Sequence, residues 1–205
     1  MHAIVALSHR AGVTPFATWL AACLVLMART TGRDRFLVGT LNAGRTRIET
    51  RSVIGPFADF LVLSADVSGA PDFNELLRRT DALVRSALEL PSVPFQRLVE
   101  ATLPGAAAGD LPYFDTVINY TGDRQRIPSR WGEIAVEPID VDACASRFRW
   151  MLYIRDEHPL ALELVHRTDL MHDADAAAFL DRYQRVLEQA CSAPDRPIGT
   201  IVLPG

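Results

Sequence analysis

Residues 12–41, GVTPFATWLAACLVLMARTTGRDRFLVGTL, hold the first decision about the fold. Thr14 followed by Pro15 is an N-cap and first-turn pair: a hydroxyl can accept a free amide, and proline loses nothing where its N–H would be unpaired. From Phe16 to Thr30 the chain is apolar nearly all round, which predicts a helix buried on most faces rather than an amphipathic surface helix. Gly32 supplies the left-handed stop, and Phe36 to Leu41 then reads as a buried strand. A core helix leading directly into a core strand is the pattern of a layered α/β molecule.

Working outward, Ile4 to His9 reads as helix but starts almost at Met1 without a capping signal, as though the chain enters an element already under way. Downstream, Phe60 to Val67 predicts a strand, and Ser68-Gly69-Ala70-Pro71 turns the chain into a helix capped by Asp72 with Glu75 three residues on. Pro94 opens a short helix over Phe95 to Ala101, and residues 104–109 read as a flexible loop before a strand from Phe114 to Tyr120. The second half is richer in strands: Ile134 to Ile139, Phe148 to Arg155 and Leu160 to Arg167, the last two joined as a hairpin through residues 156–159. Asp173 is placed as the cap of a final helix, Ala174 to Ala190, and Pro194 to Leu203 as an extended tail. The expected fold class is α/β or α+β, a mixed sheet flanked by helices.

Composition narrows the chemistry. The 205 residues carry a formal net charge of −4, which disfavours a protein that wraps nucleic acid. All 21 cationic side chains are Arg, so Schiff-base, phosphate-loop and serine–lysine chemistries that need a lysine amine are excluded. Cys23, Cys144 and Cys191 lie far apart, with neither zinc-ligand spacing nor a disulfide framework. The apolar run Phe16 to Ala28 is shorter than the ~18–20 residues that span a bilayer, and no signal-peptide pattern precedes it. These features predict a soluble cytoplasmic protein with no membrane or nucleic-acid partner.

Local motifs complete no catalytic or metal-ligating set. Gly39-Thr40-Leu41-Asn42-Ala43-Gly44-Arg45-Thr46 follows a strand and matches a phosphate loop except that Arg45 replaces the lysine. A planar guanidinium does not reproduce a compact ammonium between phosphates, so a structural strand-to-loop turn is the preferred reading. His166 and His172 lie beside Asp169 and Asp173 without further ligands at a recognised spacing, and are read as solvated residues around a helix cap. His2, His9 and His158 have no nucleophile or acid at such a spacing, and no Gly-x-Ser-x-Gly elbow occurs.

The order of segments carries more than any one of them. Gly12 to Phe16 leading into the apolar helix, Thr31-Gly32-Arg33-Asp34, Val38-Gly39-Thr40, Gly44-Arg45 and Ile54-Gly55-Pro56-Phe57 together resemble the condensation domain of nonribosomal peptide synthetases. Pro94-Phe95-Gln96-Arg97-Leu98-Val99-Glu100 is similar to that family's Pro-Phe-Glu-x-Leu-Val-Glu. The strand ending Asn119-Tyr120, Thr168-Asp169-Leu170 and the tail from Pro194 to Gly199 also fit. The resemblance implies a chloramphenicol-acetyltransferase-like fold, with residues 1–205 forming the C-terminal lobe of a two-lobed domain whose active site lies in a tunnel between the lobes.

It also implies the function: joining a carrier-bound acyl thioester to an amine acceptor, with the phosphopantetheine arm of a carrier protein as substrate tether and no cofactor bound directly. The family's His-His-x-x-x-Asp-Gly motif belongs to the other lobe and is absent from these residues, so no catalytic residue is assigned here. Gly55, Phe57, Asp59 and Phe60 are expected at the tunnel wall, with Gly39, Gly44, Pro94 and Phe95 as the loop and helix start supporting it. The family pattern Ile-Gly-x-Phe-Val-Asn-Thr reads Ile54-Gly55-Pro56-Phe57-Ala58-Asp59-Phe60 here, an acid for an amide and an aromatic for a small hydroxyl residue. Its His-Gln-Asp is replaced by Leu90-Pro91-Ser92. Residues 121–132, polar and aperiodic with Trp131 near their end, are expected to cross between the lobes. Expected partners are an N-terminal condensation lobe and acyl or peptidyl carrier proteins. Self-association of a lone lobe through that face, burying at least ~1,000 Å² in total, is a further expectation. A non-catalytic, condensation-like module that recruits a carrier protein or a tailoring enzyme is the competing reading.

Overall fold

The computed structural model describes residues 2–45, 47–90, 93–103, 113–121, 130–137, 139, 146–155 and 160–203. The expected loop at 104–109, the hairpin turn at 156–159, residues 122–129 of the expected crossing element, and Cys144 lie outside them.

Helix α1 (His2–Ala11) leads into α2 (Pro15–Thr31), in which every residue from Ala17 to Leu26 is buried, as its unbroken apolar surface predicts. The Thr14 hydroxyl accepts from the Ala17 amide at 3.2 Å, and Gly32 ends the helix at φ 68°, a conformation glycine adopts without Cβ strain. Strands β1 (Arg35–Asn42) and β2 (Asp59–Asp66) pair antiparallel from Arg35 opposite Asp66 to Asn42 opposite Asp59. Helix α3 (Phe73–Glu89) follows, with Asp72 capping the Glu75 amide at 2.8 Å. After α4 (Phe95–Thr102), β3 (Thr116–Thr121) enters parallel to β1, β6 (Trp150–Arg155) parallel to β3, and β7 (Ala161–His166) antiparallel to β6. The sheet order is β2-β1-β3-β6-β7, a mixed sheet closed on one side by α1, α2, α3 and α5 (Asp173–Ser192).

Alternation along the strands divides the core. Val38, Leu63, Ile118, Leu152 and Ile154 face the four helices in one continuous cluster. Phe60, Val62, Val117, Met151 and Tyr153 face the other way, into a smaller cluster with Phe95 and Val99 of α4, Phe114 and Phe148. Asp81 ties the helical layer together. Its Oδ1 accepts from the Thr14 amide at 2.9 Å, and its Oδ2 accepts from Arg85. Burial alone would push this carboxyl up, but the Arg85 and Thr14 donors outweigh it and hold it below its ordinary value. Burial pushes the Cys23 thiol up to about 12, so that residue behaves as core and not as a nucleophile.

Four expectations are corrected. The strand expected over Ile134 to Ile139 is only β5 (Ile134–Ala135), paired with β4 (Arg130–Trp131) in a hairpin outside the main sheet. Among the described residues no other strand pairs with β5, and a proline at position 138 has no amide to extend a ladder. His172, not Asp173, is the cap of α5. Asp173 is the first helical residue, and its carboxylate meets His166 Nε2 at 3.1 Å while Asp175 accepts from the His172 amide. The tail is not extended throughout: Ile198–Thr200 form a 3-10 turn that places Ile198 and Ile201 in the core. Gly39 to Asn42 are the last residues of β1 rather than loop. No described helix is long and apolar enough to cross a membrane alone.

Candidate functional site

β1 ends at Asn42 beside the start of β2 at Asp59, so the intervening chain, residues 43–58, stands at the carboxyl end of the parallel strands. Ligands in open α/β sheets commonly sit beyond that end. Arg45 organises the described part of this loop. Its guanidinium donates to the carbonyls of Thr50, Val53 (2.8 Å) and Gly55 (3.3 Å) and lies 4.5 Å over the Phe57 ring. A planar fork with several donors can do this where a lysine ammonium cannot. The substitution that spoils the phosphate-loop motif is thus the feature that shapes the loop. Gly44 makes the turn possible at φ 65°, and a Cβ there would stand 2.0 Å from the Phe57 carbonyl oxygen.

Asp59 sits where β2 begins and reaches across to α4. Its Oδ2 accepts the Phe95 amide at 2.9 Å and its Oδ1 accepts its neighbour Phe60's amide at 2.8 Å. Pro94, the residue before α4, has no amide proton and no side-chain acceptor, so a carboxylate 36 residues earlier in the chain fills the capping role. Phe60 lies at the centre of an aromatic cluster: its ring centroid is 5.9 Å from Phe95, 5.8 Å from Phe114 and 5.3 Å from Phe148. Phe114 stacks on Phe148 at 5.6 Å with 9° between planes. Phe114 also covers Gly39, where a Cβ would come within 2.2 Å of the ring.

The sequence-selected residues therefore meet in two linked groups. Gly44, Gly55 and Phe57 form the loop around Arg45, while Asp59, Phe60, Pro94 and Phe95 join β2 to α4, with Gly39 beneath through Phe114. Phe57 is half-buried, Gly55 exposed, and Asp59 and Phe60 half-buried. Sequence reasoning did not place Arg45, Phe114 or Phe148 at this site. Four of the chain's nine phenylalanines, Phe60, Phe95, Phe114 and Phe148, gather in this cluster, and their recurrence at or near element ends is the one signal that could have found them. The surroundings are apolar and uncovered: Val53 and Ile54 on the loop, and Val93, Leu98 and Leu103 around α4, are all exposed, Ile54 completely. Trp131, on the β4–β5 hairpin, is 74% exposed. The arrangement offers a shaped wall and a fixed helix start, and its described side chains include no nucleophile paired with a base.

The family model described as Condensation domain matches residues 1–205. The phosphinothricin tripeptide synthetase PhsB of Streptomyces viridochromogenes is 30% identical over 195 residues, spanning 94% of this chain but 16% of that protein. A four-domain nonribosomal peptide synthetase, holo-AB3403 bound to AMP and glycine, superposes with a TM-score of 0.89 at 19% identity, over all of this chain and 17% of that one. The X-domain in its complex with OxyB from teicoplanin biosynthesis superposes at 0.80 with 24% identity, over 99% of this chain and 45% of that one. The chain thus spans less than half of the X-domain chain and a small part of the synthetases. The fold shared with these structures is the chloramphenicol-acetyltransferase-like one. By the family match over its whole length, the chain belongs to the condensation-domain family.

Proposed function

We propose that these residues form the C-terminal lobe of a condensation-type domain that joins a carrier-bound acyl thioester to an amine acceptor in nonribosomal peptide synthesis. The observation that carries the reading is the uncovered wall built by Arg45, Phe57, Asp59 and α4, with exposed Ile54, Val93 and Leu98 around it. Apolar side chains left open around an ordered wall call for a second body against them. In this reading Gly55, Phe57, Asp59 and Phe60 line the tunnel. The phosphopantetheine arm of a carrier protein presents the thioester, and catalysis consists of positioning the amine and stabilising the tetrahedral intermediate. The histidine that a His-His-x-x-x-Asp-Gly motif supplies is not in these 205 residues, so the lobe is inactive without a partner carrying it. In this reading residues 121–132 cross toward that partner, supported by their described residues Arg130 and exposed Trp131, which form β4 of a hairpin outside the main sheet.

The test is reconstitution. The chain is mixed or fused with a histidine-bearing N-terminal condensation lobe and supplied with acyl-loaded and aminoacyl-loaded carrier proteins. Amide formation that needs both lobes supports the reading. Stable pairing of the lobes without amide formation, together with retention of a carrier protein or tailoring enzyme in a pull-down, favours recruitment instead. That second reading draws on the likeness to an X-domain solved with OxyB and on the replacement of the family's amide by Asp59. Light scattering and limited proteolysis test the crossing element: a strict monomer in which residues 122–132 resist protease would overturn it.

A further inference from the structure

A cleft of about 880 Å³ lies at the other end of the sheet, at the amino ends of the parallel strands β1, β3 and β6. Three neighbouring strands supply its floor on the helix-covered face, through Phe36, Thr116 and Trp150. The end of α2, with Met27, stands on one side, and the approach to α5, with Met171 and Phe179, on the other. Trp150 and Phe179 meet at 4.9 Å between ring centroids. The size suits a small organic ligand, and such pockets are typically apolar with a few placed polar groups.

Two features point to what the ligand is. Thr116 lines the cleft and is 95% buried, and its hydroxyl has no hydrogen-bond partner among the described residues. Such a group costs stability unless something meets it. Tyr113, at the same cleft, carries a second buried hydroxyl without a partner among the described residues. The charge at the rim is positive. Arg35 is paired with Asp66 and Arg149 with Asp115, while Arg33 has no ion-pair partner among the described residues. The negative end of α2 is blunted, because the Met27 carbonyl accepts from the Thr31 hydroxyl and the Ala28 carbonyl from the Gly32 amide.

We infer that the cleft between the ends of α2 and α5 binds a small amphiphilic monoanion, its aromatic or aliphatic body over Phe36, Trp150 and Phe179, its anionic head on Arg33, with the Thr116 hydroxyl donating to it. The site is separate from the wall at the carboxyl end of the strands and does not depend on the condensation reading.

Isothermal titration of the 205-residue chain with 4-phenylbutyrate, 4-phenylbutanol and 4-phenylbutylamine tests this. The carboxylate binds, the alcohol binds about tenfold more weakly or less, as loss of a charge-assisted hydrogen bond implies, and the amine gives no measurable binding. Arg33→Gln, at an exposed position, lowers the carboxylate's affinity about tenfold and leaves the alcohol's unchanged. Thr116→Val weakens carboxylate binding while raising the melting temperature of the free protein, since it removes the unpaired hydroxyl. A purely structural Thr116 would not produce the first of those effects. Equal binding of acid and alcohol, no heat with the acid, or undiminished affinity in Arg33→Gln would each overturn the proposal. Should Thr116→Val fail to fold, the Arg33→Gln result decides.

Discussion

The two faces of the five-stranded sheet are built differently. The helix-covered face is one continuous core in which four helices close over Val38, Leu63, Ile118, Leu152 and Ile154. Among the described residues, the opposite face is a compact group of phenylalanines under a single eight-residue helix, held by one carboxylate and edged by exposed apolar side chains. The first face is closed over by helices, whereas the second keeps an exposed apolar rim. Stability is not spread evenly over a protein, and elements that meet partners are drawn from its less stable parts.

The largest expected effect lies on the helix-covered face. Trp19 is fully buried in α2 beside Tyr183, whose hydroxyl donates to the Trp19 carbonyl at 2.9 Å. Trp19→Ala should cost about 4 kcal/mol in denaturant unfolding, detected equally by every probe. Phe95→Ala should instead lower hydrogen-exchange protection in α4 and leave the helix-covered face protected. Equal global losses from both substitutions would break the distinction between the faces.

Gly39→Ala comes next, because its Cβ would meet the Phe114 ring at 2.2 Å and the stacked cluster would have to shift. A loss of about 2 kcal/mol is expected from such overpacking. Combining it with Phe114→Leu should cost less than the sum of the single losses, as measured in a double-mutant cycle.

Asp81 sharpens the comparison through pH. Its carboxyl is held below its ordinary value in the folded state, so its contribution is present above the unfolded carboxyl's pKa and is lost as pH falls through the lower folded value. Asp81→Asn should cost about 2 kcal/mol at neutral pH and flatten the acid limb of a stability-against-pH curve, since it removes the charge and leaves one acceptor oxygen where two serve Thr14 and Arg85.

The smallest effect belongs to Asp59. Asp59→Asn keeps an oxygen for the Phe95 amide but removes the charge at the start of α4, for a loss of about 0.5–1 kcal/mol confined to α4 exchange rates. A loss as large as that of Trp19→Ala would mean that α4 is part of the main core after all.

Much of the fold was legible in the sequence because the signals are local. The Thr14 and Asp72 caps, the Gly32 stop, and the burial of α2 follow from residues within a few positions of each other, and the structure agrees at each. Where a local signal was weak, the reading slipped. His172 caps α5 because the carboxylate of Asp173 is drawn to His166, seven residues earlier. The strand after Gly132 stops at Ala135, where its described pairing with β4 also ends. At the candidate site, the family order of motifs picked out Gly55, Phe57, Asp59 and Phe95, but not what each would do.

The sequence by itself determined the caps, the helix and strand periods and the family, since each is a property of neighbours along the chain or of motif order. Tertiary structure alone decided that Asp59 would cap a helix starting 36 residues later, that Phe114 would lie on Gly39, and that α2 and α5 would leave a cleft over Thr116. Those contacts depend on the sheet order β2-β1-β3-β6-β7, which brings together residues far apart in the chain, and no periodicity or capping rule encodes that order.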